Sequence, residues 1–409
     1  MYTSASTAIA FAGGFIVTKV VAVKIGATGL LYIGQYQNIT AILTLLATGA
    51  VNAGVTKYIA QFKDDAKKQQ EVITNAVNLI TGCSILISLL VIISSRLLAV
   101  SSFFTANYWV VYFLYGCFLT LLSLNLFFAA VFNGLKEIKK LTIVNIVGSL
   151  ATIFFTVWMA IKHGVKGVLI AGNITALIVF GINMYFIKGL SQFSFFPDFK
   201  KRSGKTLNML FVFTAMTLVS GITASLSQLF IRYRIINIFS IEQAGYWQAI
   251  TKISDYYLAF ITMVLSVYYL PRLSEIKSNR ELKNEIKKGY KTILPVVAIM
   301  ALLIWFCKKL VIQLLFTPAF SPMLPLFDFQ LLGDFFKIGS WLLAYIMWAK
   351  GRVKMFIVTE ITFSFMYVIL SYVFLHFYGL TGATYAFCIS YLLYWIAMIV
   401  IMYFKMFRF

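Results

Sequence analysis

Twelve apolar segments of membrane-spanning length divide the chain, and short connectors rich in lysine and arginine separate them. A helix needs about 20 residues to cross the hydrocarbon core of a bilayer. The segments fall near residues 6–26, 33–55, 72–95, 109–133, 141–161, 167–187, 208–231, 246–270, 292–307, 327–349, 355–375 and 383–404. We therefore predict an all-α polytopic membrane protein with twelve transmembrane helices.

The composition excludes a soluble protein. Of the 409 residues, 61% are hydrophobic and only 12% are charged, with a mean hydropathy of +0.88. A soluble chain of this length needs far more polar surface to cover one or two domains. Because no hydrophilic stretch is long enough to fold as a separate domain, any function must be built among the helices or from their connectors.

The net charge of +22 indicates orientation rather than nucleic-acid binding. Twenty-four of the 35 lysines and arginines lie in one set of connectors and at the C-terminus, whereas eight lie in the opposite connectors and at the neighbouring span ends. Connectors on the cytosolic side of a membrane protein carry the excess of Lys and Arg. This bias predicts that both termini are cytosolic, and no nucleic-acid partner is expected.

No enzymatic constellation appears in the sequence. His163 and His376 have no carboxylate or cysteine at metal-ligand spacing, and the four cysteines are far apart in or beside apolar segments. A glycine-rich phosphate loop and a nucleophile motif are both missing. We expect a protein that is not an enzyme and that has no metal site and no bound cofactor.

Glycines recur at a nearly constant offset along the chain. The matched pairs are Gly164 with Gly379 and Gly167 with Gly382 (offset 215), Gly29 with Gly245 (216), and Gly134 with Gly351 (217). Four matches in the same order predict a duplicated six-helix unit. Six is even, so the two lobes are expected to be related by a pseudo-two-fold axis along the membrane normal. The predicted domains are an N-lobe (1–187), a cytosolic linker (188–206) and a C-lobe (207–409).

The predicted linker combines aromatic and basic residues. It contains Phe193, Phe195, Phe196 and Phe199 beside Lys200, Lys201 and Arg202. Such a segment suits the cytosolic surface of the membrane, where it would tether the two lobes and contact membrane lipids. An ordinary solvated loop is the alternative.

Charged residues interrupt several spans. Lys252 and Asp255 stand three residues apart and therefore share a helical face, as do Asp334 and Lys337. A charge in the hydrocarbon core costs about 3 kcal/mol or more, so it usually faces another charge, a cavity or a substrate. The alternative is a self-neutralising pair that helps its helix to insert.

Nine ionisable residues form the candidate site. The proposed substrate-binding cations are Lys19, Lys24, Arg232, Arg234, Lys252 and Lys337, and the proposed ion-coupling or gating acids are Asp255, Asp334 and Glu360. All except Glu360 are expected in the outer half of the membrane. The excess of cations there suits an anionic ligand such as phosphate. Lys19 ranks first because its span holds no acid. Snorkelling to outer headgroups is the alternative for Lys24, Arg232 and Arg234.

Three stretches carry a family resemblance. They are NAGVTKYIAQF (Asn52 to Phe62), GYWQAITKISDYYLAFITMVLSVYYLPRLSE (Gly245 to Glu275) and FQLLGDFFKIGSWLLAYIMWAK (Phe329 to Lys350). The chain resembles the Wzx-type O-antigen and enterobacterial common antigen flippases, which belong to the multidrug, oligosaccharidyl-lipid and polysaccharide exporter superfamily. The likeness extends over nearly the whole chain. It places Lys19, Asp255, Asp334 and Lys337 on charged positions of the family pattern.

The resemblance implies flipping of undecaprenyl-diphosphate-linked oligosaccharide across a Gram-negative inner membrane by alternating access, for lipopolysaccharide or common antigen synthesis. A proton or sodium gradient, or consumption of the product outside, would drive the cycle. A polysaccharide polymerase and a chain-length regulator are the expected protein partners. Two alternatives stay open: a multidrug cation antiporter of the same superfamily, and a membrane glycan polymerase or ligase.

Overall fold

The computed structural model describes residues 2–190, 194–198 and 203–405, and all regular secondary structure in these ranges is helical, as predicted. The chain divides into two compact units. Unit 1 comprises Met1–Ile25 and Tyr32–Ser225, and unit 2 comprises Gly26–Leu31 and Leu226–Phe409. The predicted boundaries of the two lobes stay a prediction.

Fourteen α-helices are present in the described ranges. The first seven are α1 (Tyr2–Lys24), α2 (Gly26–Ala47), α3 (Asn52–Gln61), α4 (Ala66–Phe103), α5 (Trp109–Gly134), α6 (Ile138–Lys188) and α7 (Gly204–Ile238). The others are α8 (Ile241–Val264), α9 (Leu270–Glu275), α10 (Asn279–Phe306), α11 (Lys308–Leu315), α12 (Leu326–Ala349), α13 (Val353–Tyr378) and α14 (Thr381–Lys405). Short 3₁₀ turns at Ala106–Tyr108 and Pro318–Met323 connect some of them.

Every predicted apolar segment coincides with helix except 33–55, which a break at residues 48–51 interrupts. By length and composition, eight helices in the described ranges qualify as membrane spans, and α2 with α3, bent by 47° at their break, makes a ninth. The 51 residues of α6 hold two predicted segments. At about 1.5 Å per residue, this helix is long enough to cross a core of about 30 Å twice. The α1 and α12 helices cover the two remaining segments.

The glycine repeat has a structural counterpart. Within α6, Gly164 adopts φ 56° and ψ −139°, and Gly379, between α13 and α14, adopts φ 64° and ψ −151°. Both therefore break the helix with the same backbone conformation. The structure does not match Gly134 with Gly351, because Lys136 (φ 59°) and Gly351 (φ 62°) are the residues with positive φ in the corresponding turns. This corrected pair also has an offset of 215, since 351 − 136 = 215.

Replacing Gly379 by alanine is expected to lower the free energy of unfolding by about 1–3 kcal/mol, because a side chain is strained at this φ and ψ. A Gly82→Ala variant is the matched control, since an added Cβ there meets nothing within 4 Å and Gly82 lies in regular helix. Thermal denaturation in detergent compares the two. Equal midpoints would show that the turn at Gly379 tolerates a side chain.

The described part of the predicted linker is docked on unit 1. Side chains of α4 hold its backbone: Gln70 bonds both the N–H and the C=O of Ser194, at 2.8 and 2.9 Å, and Asn78 bonds both groups of Asp198, at 2.7 and 2.6 Å. Phe195 is buried in the unit 1 core. These contacts argue against a fully solvated loop for residues 194–198.

The aromatic residues of the linker have different environments. Phe195 packs edge-on against Phe128, with 6.2 Å between ring centroids, whereas Phe196 is 83% exposed. Only Phe196 is therefore available, among these described residues, for the predicted contact with the membrane surface. Phe193, Phe199 and the basic run Lys200 to Arg202 lie outside the described residues.

The α12 helix occupies the centre of unit 2, where it packs against α8, α9, α10, α13 and α14. Two glycines on α12 allow the close approach of α14. A Cβ on Gly339 would lie 2.7 Å from the ring of Trp395, and one on Gly333 would overlap Phe387. This packing brings the charged residues of α12 close to the aromatic side chains of α14.

The α8 helix continues through a π-helical turn, Leu265–Tyr269, into α9. Pro271 lies in the first turn of α9 and lacks the N–H that a regular helix would use. A π turn changes the backbone hydrogen-bond register at this point, so the chain stays helical through the proline. Such single turns are frequent at functional sites.

Candidate functional site

Seven of the nine predicted site residues lie in unit 2, on four helices. Arg232 and Arg234 are on α7, Lys252 and Asp255 on α8, Asp334 and Lys337 on α12, and Glu360 on α13. Lys19 and Lys24 are both on α1, in unit 1.

Arg232 is only 1% exposed. Its Nη2 donates a hydrogen bond to Oε1 of Gln248, and its guanidinium lies 5.6 Å from the ring centroid of Trp247. The charge of Asp255 also acts on it. A buried cation needs such compensation because desolvation is costly. The structure thus excludes the snorkelling alternative for Arg232, whose charge is held inside the protein.

Lys252 and Asp255 share one face of α8, as predicted. Lys252 is half-buried and Asp255 is exposed, although most residues of α8 are buried. Lys252 is attracted by Asp255 and repelled by Arg232. Asp255 thus interacts with Lys252 on its own helix and also with Arg232 on α7.

Asp334 is fully buried, with 0% exposure. Its Oδ2 accepts a hydrogen bond of 2.7 Å from the phenol of Tyr257 on α8, and Lys337 is the cation that acts on it most strongly. A carboxylate without water or a partner would be strongly unfavourable here. Asp334 is therefore supported by the phenol of Tyr257 from another helix and by the charge of Lys337, and their mutual neutralisation stays a prediction.

Lys337 lies among three aromatic rings. Its Nζ is 4.9 Å from the ring centroid of Trp341 and 5.7 Å from those of Phe387 and Tyr391. Such contacts stabilise an ammonium group, and more so where it is desolvated. Glu360 on α13 also interacts with Lys337. Glu360, expected apart from the other charges in the inner half of the membrane, is therefore electrostatically coupled to them through Lys337.

The other three predicted cations are Arg234, Lys19 and Lys24. Arg234 stacks over Tyr372, with its guanidinium carbon 4.9 Å from the ring centroid, on a different face of α7 from Arg232. On α1, Lys19 is half-buried and Lys24 is exposed in the last turn. Lys19 and Lys24 belong to unit 1, so the site of unit 2 is described without them.

The unit 2 cluster, defined as Arg232, Lys252, Asp255, Asp334, Lys337 and Glu360, balances three cations against three acids. The predicted excess of cations depends on the other lysines and arginine, so the cationic cavity stays a prediction. A balanced network can bind an anion if the ligand replaces a carboxylate next to a cation. Among the described residues, no group of three or more His, Cys, Asp or Glu side chains is arranged to hold a metal ion.

A family model described as polysaccharide biosynthesis protein matches residues 34–325. The chain belongs to the polysaccharide biosynthesis protein family. It is also 28% identical, over 96% of its own length and 95% of the relative's, to a lipid III flippase of Escherichia coli strain K12. The likeness thus covers nearly the whole of both chains.

Solved structures with low sequence identity show the fold of this polysaccharide biosynthesis protein. An inward-facing multidrug resistance MATE family transporter of the MOP superfamily matches with a TM-score of 0.76 at 15% identity, covering 97% of this chain and 93% of that one. A MOP superfamily transporter from Pyrococcus furiosus, described as having a binding pocket of reverse polarity, matches with a TM-score of 0.64 at 12% identity, covering 97% and 94%. These relatives are flippases and transporters rather than enzymes.

Sequence reasoning missed the tyrosines that interact with the unit 2 cluster. Tyr257 donates to Asp334, Tyr391 and Tyr394 interact with Glu360, and Tyr367 interacts with Arg232 and Asp334. One signal was present in the sequence: Tyr391 and Tyr394 are three residues apart within an apolar span and so share a face. Which acid that face meets depends on the packing of α13 against α14.

Proposed function

We propose that this protein flips undecaprenyl-diphosphate-linked oligosaccharide from the cytosolic to the periplasmic leaflet of a bacterial inner membrane, for surface polysaccharide synthesis. The observation that carries the proposal is the set of three cations, Arg232, Lys252 and Lys337, held on facing helices of unit 2 in a family named for polysaccharide biosynthesis. The name of its relative, a lipid III flippase, supports the same substrate class.

The chemistry of the cluster suits a diphosphate. Moving such a group through bare hydrocarbon would cost on the order of tens of kcal/mol by idealised reasoning, which a polar passage avoids. Guanidinium and ammonium groups form strong, charge-assisted hydrogen bonds with phosphate oxygens. The headgroup is proposed to bind these cations, with Lys19, Lys24 and Arg234 contributing along the path, while the polyprenyl tail stays in lipid.

The acids of the cluster provide a route to energy coupling. Because Asp334 and Glu360 both interact with Lys337, a phosphate that binds this lysine competes with both carboxylates. A carboxylate that loses its cation in an apolar environment is stabilised by a proton or a sodium ion. We propose that Asp255, Asp334 and Glu360 couple transport to such a gradient, or gate the cycle where consumption of the product drives it.

Deletion of the gene tests the function in cells. Lipid-linked oligosaccharide is expected to accumulate on the cytosolic face of the inner membrane, and the glycan lost from the surface distinguishes O-antigen from common antigen. Re-expression of the wild-type chain should restore it. If the deletion strain delivers the oligosaccharide normally to the periplasm but loses drug efflux, the multidrug antiporter is favoured. Glycan extension by the purified protein alone would favour a polymerase.

A further inference from the structure

Unit 1 contains a cavity of about 600 Å³, and none of the nine predicted site residues lines it. It is lined by residues of α1, α2, α3, α5, α6 and α7 and by the turn between α2 and α3. Its volume is within the range of about 300–1,000 Å³ that is usual for small-molecule sites. Eleven of its 22 lining residues carry a hydroxyl, phenol or amide group, and none of them is charged.

Two of these polar side chains present groups that the protein does not satisfy. Asn173 on α6 is 3% exposed, and its Nδ2 has no hydrogen-bond partner among the described residues. The buried Oδ1 of Asn52, at the start of α3, is likewise without one. A buried donor and a buried acceptor left unpaired cost free energy. Sugar hydroxyls both donate and accept, so they are ligand groups that suit a wall with unpaired donors and acceptors.

A row of threonines on α2 adds further acceptors. Thr40, Thr44 and Thr48 are spaced by four residues and so share one face of the helix. Each donates its hydroxyl proton to the carbonyl four residues earlier, at 2.7, 2.7 and 2.9 Å, which leaves oxygen lone pairs for other donors. Thr44 also bonds the phenol of Tyr115 at 2.7 Å, which fixes both side chains in the wall.

We propose that this cavity of unit 1 binds the uncharged sugar rings of the headgroup. The inference rests on the proposed function and names the part of the substrate that this second site recognises. An isolated phosphate or a drug cation is disfavoured in the cavity, because no lining side chain offers an opposite charge. Hydroxyl and amide groups on apolar walls, with the rings of Tyr36 and Tyr115, match the mixed polar and apolar surface of a pyranose.

Two variants test the proposal with little change in volume: Asn173→Leu and Thr152→Val. Thr152 lines the cavity from α6, and its hydroxyl donates a hydrogen bond to the carbonyl of Gly148 at 2.8 Å. The matched control is Thr142→Val, at a buried threonine on the same helix that does not line the cavity. Thermal midpoints identify any variant that fails to fold. If one of the two cavity variants does not fold, binding is compared with the remaining one.

Binding is measured for wild type and variants in nanodiscs with two probes, undecaprenyl diphosphate alone and undecaprenyl diphosphate carrying a neutral trisaccharide. Wild type should bind the glycosylated probe more tightly. Each cavity variant should weaken that binding about tenfold, the effect of one lost hydrogen bond, without changing affinity for the bare probe. Thr142→Val should match wild type.

Two other outcomes separate the inference from the proposed function. Suppose first that wild type binds both probes. If the folded cavity variants then bind the glycosylated probe as tightly as wild type, or lose affinity for both probes equally, the cavity does not recognise sugar. If wild type binds neither probe, the proposed function fails, and the inference that rests on it fails with it.

Discussion

Replacing Arg232 by methionine is expected to slow translocation of lipid-linked oligosaccharide about 100-fold. The variant removes a buried cation that donates to Gln248, stacks on Trp247 and interacts with Asp255. Hydrogen bonds to charged groups contribute about 1.5–3 kcal/mol, and about 1.4 kcal/mol corresponds to a factor of ten. If Arg232 binds phosphate as proposed, loss of this cation together with its support accounts for about two orders of magnitude.

The control for this variant is Arg96→Met, because Arg96 is an exposed arginine on α4, in unit 1 and outside the cluster. It should retain the wild-type rate in proteoliposomes. Arg232→Lys keeps the charge but loses the planar fork of donors, so it should recover only part of the activity. A folded Arg232→Met protein with the wild-type rate would exclude this arginine from the transport path.

Replacing Lys337 by methionine is expected to lower the free energy of unfolding by about 3–5 kcal/mol, the usual consequence of removing one partner from a buried ionic network. Asp334 is fully buried and interacts with Lys337, and Glu360 interacts with the same lysine. The single variant leaves both acids without this cation. Denaturation of the purified protein, followed through its thermal midpoint, measures the loss.

A double variant separates charge from packing. Lys337→Met with Asp334→Asn removes the buried negative charge together with its partner, so it should be clearly more stable than Lys337→Met alone. The asparagine can still accept the hydrogen bond from Tyr257. If the double variant were no more stable than the single one, the contribution of Lys337 would come from its contacts with aromatic rings rather than from Asp334.

The helices could be predicted from sequence because long apolar segments have few alternatives in a membrane. Their ends could not. The α4 helix begins at Ala66, six residues before its predicted apolar segment, because Asp65 caps it by accepting from the N–H of Lys68 at 3.0 Å. The offset of the repeat was nearly correct, but pairing Gly134 rather than Lys136 with Gly351 missed a lysine with positive φ.

Charged pairs within one helix were equally accessible to sequence reasoning, since residues three apart share a face. Contacts between helices were not. The coupling of Glu360 to Lys337 and the hydrogen bond from Tyr257 to Asp334 depend on how α13 and α8 pack against α12. The unit 1 cavity was also missed, because threonine and asparagine in apolar spans carry no charge to draw attention to them.

The most direct test of the central claim is translocation by the purified protein. Proteoliposomes are loaded with labelled undecaprenyl-diphosphate-linked oligosaccharide, and the fraction of headgroups that becomes accessible on the opposite face is followed with time. Wild type should move the lipid much faster than protein-free liposomes, and Arg232→Met should approach the protein-free rate. A wild-type rate equal to that of protein-free liposomes, or an unimpaired Arg232→Met protein, would contradict the account.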